Sequence, residues 1–112
     1  MACIHLYRYT EAYSLSLKGV RNEPKDAYCY YLRAFSYLYI HKPSLTDDDK
    51  KVVLNDIAQS ITLEPNNPFY IRERAYIKNI FTDIAGACED AKKYAEMGGD
   101  NANDYIKKYC TQ

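Results

Sequence analysis

One arrangement of residues is written twice, each time forward from a proline, and it limits this chain to a narrow set of folds. Six, nine, ten and thirteen residues after Pro24 stand Tyr30, Arg33, Ala34 and Tyr37. The same offsets after Pro65 give Ile71, Arg74, Ala75 and Lys78. Twelve residues before Pro24, Pro65 and Gly99 stand Ala12, Val53 and Ala87. A large–small–large succession at helical spacing, closed by Pro or Gly, is the mark of a repeated helical hairpin. Such units bury their apolar stripe against each other, and their usual work is holding other molecules.

The breakers divide the chain into short helices. Residues 9–22 carry apolar and small side chains at helical spacing, and Glu23-Pro24-Lys25-Asp26 ends that segment. Asp26 is suited to cap a second helix over residues 27–40, which is aromatic or apolar almost all round and therefore expected to be covered on more than one face. Thr46 and Asp49 make a capping box for a third helix that runs to Leu63. The triplet Asp47-Asp48-Asp49 suits the positive end of that helix better than calcium, because adjacent acids cannot alternate as ligands. Further helices follow over 68–80, with Pro68 in the first turn, and over 83–97, stopped by Gly98-Gly99. Residues 101–109 form a last short one, with Tyr105, Ile106 and Tyr109 on one face. No useful strand-like alternation occurs, so the fold class is all-α with antiparallel neighbours.

Composition narrows the function. Fifteen basic and fifteen acidic side chains cancel, which argues against nucleic-acid and membrane-surface partners, since both call for an excess of positive charge. Lys92, Lys93, Lys107 and Lys108 read as a solvated helix face. There is no apolar run of membrane-spanning length and no signal-peptide pattern at the N-terminus, so the expected location is cytoplasmic. Cys3, Cys29, Cys88 and Cys110 contain no CxxC and are expected as free thiols packed as small apolar residues. Thirteen tyrosines and no tryptophan supply large packing surfaces with polar tips.

With these residues in place the chain resembles a tetratricopeptide repeat protein, a family of stacked helix–turn–helix units of about 34 residues. Tyr30, Ala34 and Tyr37 match the first helix of that pattern in a middle repeat (27–67), and Ile57, Ser60 and Pro65 match the second. Ile71, Ala75, Ala87 and Ala91 match in a last repeat (68–99), where Gly99 takes the place of Pro. The resemblance implies a right-handed α-superhelix with about two full repeats, a truncated N-terminal repeat (1–26) and a C-terminal capping helix (100–112), all in one domain. The run from Gly86 to Cys110 is similar to the C-terminal ends of many bacterial members. Ala34 and Ala75 fall where paired helices approach most closely.

The departures carry expectations of their own. Pro24 and Pro65 are 41 residues apart, seven more than one repeat, and the surplus is expected around 42–48, in the first helix, the loop, or both. The leading half of the first repeat is missing, which removes cover from Ala12, Tyr13, Leu15, Leu17 and Val20. Three outcomes are open: a fragment of a longer array, a single long helix that includes residues 1–6, or a homodimer through this end. The homodimer is the favoured one, because exposed apolar patches find partners.

Nothing in the chain assembles a reaction. His5 and His41 neighbour no nucleophile in a recognised motif, Cys3-x-His5 gives at most two metal ligands, and Gly98-Gly99 lacks phosphate-loop spacing. No catalytic residue, metal or cofactor is expected. The resemblance instead implies a concave groove lined by Tyr28, Tyr31, Phe35 and Leu38 in the middle repeat and by Phe69, Arg72, Tyr76 and Asn79 in the last. Aromatics with one Arg suit an extended peptide or an amphipathic helix. The Lys and Asn clamp of the chaperone-tail-binding members has no counterpart, because Tyr31 and Phe35 stand there. The expected function is therefore a non-enzymatic protein-binding scaffold, with self-assembly through the incomplete N-terminal repeat as the alternative.

Overall fold

A computed structural model describes the backbone of residues 2–111 and the side chains of 8–111. Six α-helices occupy it: α1 (Ala2–Asn22), α2 (Ala27–His41), α3 (Asp47–Leu63), α4 (Pro68–Ile80), α5 (Ile84–Glu96) and α6 (Ala102–Cys110). A 3-10 turn, Lys42–Ser44, follows α2, and there is no strand among the described residues. No described helix is long and apolar enough to cross a membrane. The chain divides into two compact units, Met1–Glu64 with α1 to α3 and Pro65–Gln112 with α4 to α6.

The helix starts follow from side chains that accept the free N–H groups of the first turn. Asp26 accepts from the Tyr28 amide, Asn67 from that of Phe69 and Asp83 from that of Gly86. Thr46 and Asp49 close a reciprocal capping box at α3, as expected. At the other end of α5, Gly98 takes the left-handed conformation (φ 79°) that costs glycine little.

In the first unit the helices run antiparallel. The Ser60 hydroxyl near the end of α3 donates to the Ala27 carbonyl at the start of α2, at 2.8 Å. At the opposite end the Tyr37 hydroxyl donates to Asp49 Oδ1 at 2.6 Å. Helix α1 approaches α2 so closely that a Cβ at Gly19 would lie 2.5 Å from Cys29 Sγ. Ala27, Ala34, Leu38, Val53 and Ile57 are fully buried.

In the second unit α6 packs antiparallel on α5. Tyr109 is buried against Ala75, Ala87 and Ala91, with Tyr105 and Ile106 alongside. Ala34, Ala75 and Ala87 are all buried.

Three expectations are corrected or resolved. The seven-residue surplus is not confined to the first helix and the loop. Helix α2 is 15 residues against 13 for α4, but α3 is 17 against 13 for α5, so the largest share is added in the first turn of α3, at Asp47 to Asp49. That turn carries its own capping box and the bond from Tyr37, which is why the helix reaches back to it. Cys88 and Cys110 are not free thiols but a disulfide, because antiparallel packing of α5 and α6 brings their Cα atoms to 4.7 Å. Cys29 is free, and Cys3 and His5 lie outside the residues whose side chains are described. At the N-terminus α1 is a single helix of 21 residues, which agrees with the long-helix expectation.

Candidate functional site

Two hairpins, α2/α3 and α4/α5, carry the same internal fastening. Arg33 Nε and Nη2 each donate to a carboxylate oxygen of Asp56 at 2.8 Å. Arg74 Nε and Nη2 donate to Asp90 at 2.9 and 2.8 Å. Both arginines stand nine residues after Pro24 or Pro65, and both aspartates nine residues before Pro65 or Gly99. The planar guanidinium fork grips each buried carboxylate through two bonds, which sets the register of one helix against the other. Sequence reasoning noticed the arginines and missed their partners. The signal was there, in the matching offsets of Asp56 and Asp90.

The two fastenings differ in one respect. Lys78 Nζ lies 3.1 Å from Asp90, so that carboxylate meets two cations. Tyr37 holds the corresponding place in the first hairpin and turns to Asp49 instead. The bond to the Asp49 carboxylate, followed by burial, pushes the Tyr37 phenol up to about 12. The same bond holds Asp49 below its usual range. Tyr30 is a second hydroxyl tie, donating to the Pro24 carbonyl at 2.9 Å. Tyr30, Ala34, Tyr37, Ile71, Ala75 and Ala87, expected as structural positions, are all buried or half-buried.

The aromatic face of α2 is built from residues three and four apart. Tyr28 to Tyr31 and Tyr31 to Phe35 are 5.7 Å between ring centres, and Phe35 to Tyr39 is 4.7 Å. Tyr9 from α1 stacks on Tyr39 at 4.8 Å and reaches Phe35 at 6.3 Å. Tyr28 is 52% exposed and Tyr31, Phe35 and Tyr39 are half-buried. Leu38, expected on this face, is 0% exposed and belongs to the core. The face continues through Tyr39 because the helix needs a step of four after Phe35, not three. Lys42 Nζ lies over Tyr39 at 5.1 Å.

Of the four residues expected from the second unit, Arg72 and Phe69 take part in contacts within it. Arg72 lies over Phe69 at 5.1 Å, Tyr105 at 5.8 Å and Tyr94 at 6.0 Å, and pairs with Glu73 at 3.4 Å. Three rings around one guanidinium join α4, α5 and α6 by cation–π attraction. Burial pushes the Glu73 carboxyl up, against the opposing pull of Arg72. Tyr76 and Asn79 are half-buried on α4, as is Phe69.

A cleft of about 350 Å³ in the first unit is lined by Tyr13, Arg33, Val52, Asn55 and Asp56. Its polar floor is the Arg33–Asp56 pair already described. Among the described residues no group of three or more His, Cys, Asp or Glu side chains could hold a metal ion. Asp49 serves as a cap and as the acceptor for Tyr37. No protein-family model, curated protein or solved structure matches this chain.

Proposed function

We propose that the chain is a non-enzymatic scaffold of the tetratricopeptide type, and that it binds a peptide or a partner helix on the aromatic face of α2. The observation that carries this reading is the unbroken run Tyr28, Tyr31, Phe35 and Tyr39, half-buried to exposed, on a helix whose opposite side is fastened to α3. Tyrosine rings offer large, rigid contact area with hydroxyl donors at the rim, the combination that dominates binding hot spots. The tetratricopeptide assignment is supported by the shared offsets of the two hairpins and by their matching Arg–Asp fastenings. A bacterial source is part of the same proposal, on the resemblance of the C-terminal run.

Selection of a displayed random-peptide library on the intact chain tests this. The expected result is a peptide family whose affinity falls at least about tenfold for Tyr28→Ala/Tyr31→Ala, the loss of about 1.4 kcal/mol or more that hot-spot tyrosines give. Thermal melting of the variant should be little changed. Equal affinity of the two proteins would sink the assignment of this face.

A second reading rests on α1. Leu15 is 58% exposed and Leu17 38%. Leu15 stands nine residues before Pro24, the place that Asp56 and Asp90 hold in the hairpins. In α3 and α5 that side chain faces the preceding helix, and in α1 it is open to a second copy. Self-assembly through α1 predicts a dimer by light scattering at micromolar concentration that Leu15→Glu/Leu17→Glu converts to monomer; a monomeric wild type would exclude it.

A further inference from the structure

The Cys88–Cys110 disulfide joins the middle of α5 to the last residue of α6. We propose that α6 is a redox-controlled latch: with the bridge formed it is held on the face made by Ala75, Ala87 and Ala91, and on reduction it opens from that face about a hundredfold more often.

The second unit contains two sources of stability that do not overlap. The α4/α5 hairpin has its own caps at Asn67 and Asp83 and its own fastening, Arg74 and Lys78 on Asp90. None of these involves α6. Helix α6 has little of its own. It is nine residues long, its N-cap Asn101 makes no side-chain cap bond and sits in the left-handed region at φ 57°, and its apolar contacts come from Tyr105, Ile106 and Tyr109. A helix of this length does not persist alone in water. The bridge lies at the end of α6 remote from the turn at Asp100, so in the oxidised chain the helix is tied at both ends. Reduction removes the covalent tie and leaves the packing of Tyr105, Ile106 and Tyr109 together with the turn, where the Tyr94 hydroxyl donates to the Asp100 carbonyl.

The step is a thiol–disulfide exchange with a cellular dithiol. One thiolate of the dithiol attacks a sulfur of the bridge and displaces the other cysteine as a thiolate, which takes up a proton. The second thiol of the reductant then resolves the mixed disulfide. Two electrons pass to the bridge and the reductant ends as a disulfide. Release of α6 also withdraws the Tyr105 ring from Arg72, freeing one side of a guanidinium that the docked helix covers. The state of the latch thus follows the compartment, held shut where disulfides persist and opening more often where dithiols are maintained.

Hydrogen exchange read by mass spectrometry on the full chain tests the proposal, after peptide mapping without reductant. The oxidised protein should yield a linked Cys88–Cys110 peptide. With dithiothreitol the amides of α6 should exchange about a hundredfold faster, the loss expected on opening a loop of this size, while those of α4 and α5 keep their protection. Cys88→Ser/Cys110→Ser should match the reduced protein and ignore the reductant. Failure to find the linked peptide, unchanged α6 protection on reduction, or equal loosening of α4, α5 and α6 would each overturn the latch. A response of the double variant to dithiothreitol would do the same by placing the effect on another cysteine.

Discussion

Arg33 and Arg74 make the same two bonds, yet their removal should not have the same effect. Arg33→Met leaves the Asp56 carboxylate buried without the cation that grips it, whereas Arg74→Met leaves Asp90 with Lys78 at 3.1 Å. Breaking a fully buried pair by removing one partner costs about 3–5 kcal/mol; with arginines about a quarter exposed, about 2 kcal/mol is expected for Arg33→Met and clearly less for Arg74→Met. Urea unfolding of the two variants checks the order. Tyr37 gives a pH signature. Its phenol is held protonated to about 12 in the folded chain, so its contribution is whole below the ordinary phenol range near 10 and disappears as pH rises from there to about 12. Asp49 acts with the opposite sign, contributing above the usual carboxylate range and losing that contribution as pH falls through its lowered value. Tyr37→Phe should flatten both limbs relative to the parent, as read by thermal melts across pH.

The helices themselves are largely legible in the sequence. Caps and breakers act locally, so Asp26, Thr46 with Asp49, Pro68 and Gly98 placed the ends to within a residue or two. Contacts between helices were less legible, because periodicity says which residues share a face but not what covers it. Leu38 and Tyr39 differ by one position, and one step of 100° around α2 separates a core side chain from a ring of the aromatic face. Asp56 and Asp90 were visible only to a comparison of offsets, and the Cys88–Cys110 pairing needed the approach of two antiparallel helices that no spacing encodes. The first turn of α3 was legible from its capping box, but the surplus was not assigned to it, because the distance between two prolines does not say which element takes the extra residues. For α6 the burial of Tyr109 on three alanines sets the expectation. Tyr109→Ala should cost about 3–5 kcal/mol, the range for removing a large buried aromatic, measured as loss of urea stability with the bridge intact. Ala75→Leu, which overfills the same contact, should cost about 1–3 kcal/mol.

The whole chain combines a part that is well determined by its residues and a part that is not. Two fastened hairpins, a long leading helix and a disulfide-bound final helix follow from capping, burial and paired charge. The proposed class of function rests on what remains once those residues are committed, which is an aromatic face on α2 that the fastening of α2 to α3 does not use. The composition carried part of this, since thirteen tyrosines with balanced charge favour contact surfaces over charged ones. The partner was not legible, because a run of rings accepts many sequences and carries no charge pattern to name one. The direct measurement is amide chemical-shift mapping of the full, isotope-labelled chain titrated with a library-selected peptide. The account predicts that the largest shifts fall between Tyr28 and Tyr39 and extend to Tyr9; largest shifts confined to α5 and α6 would contradict it.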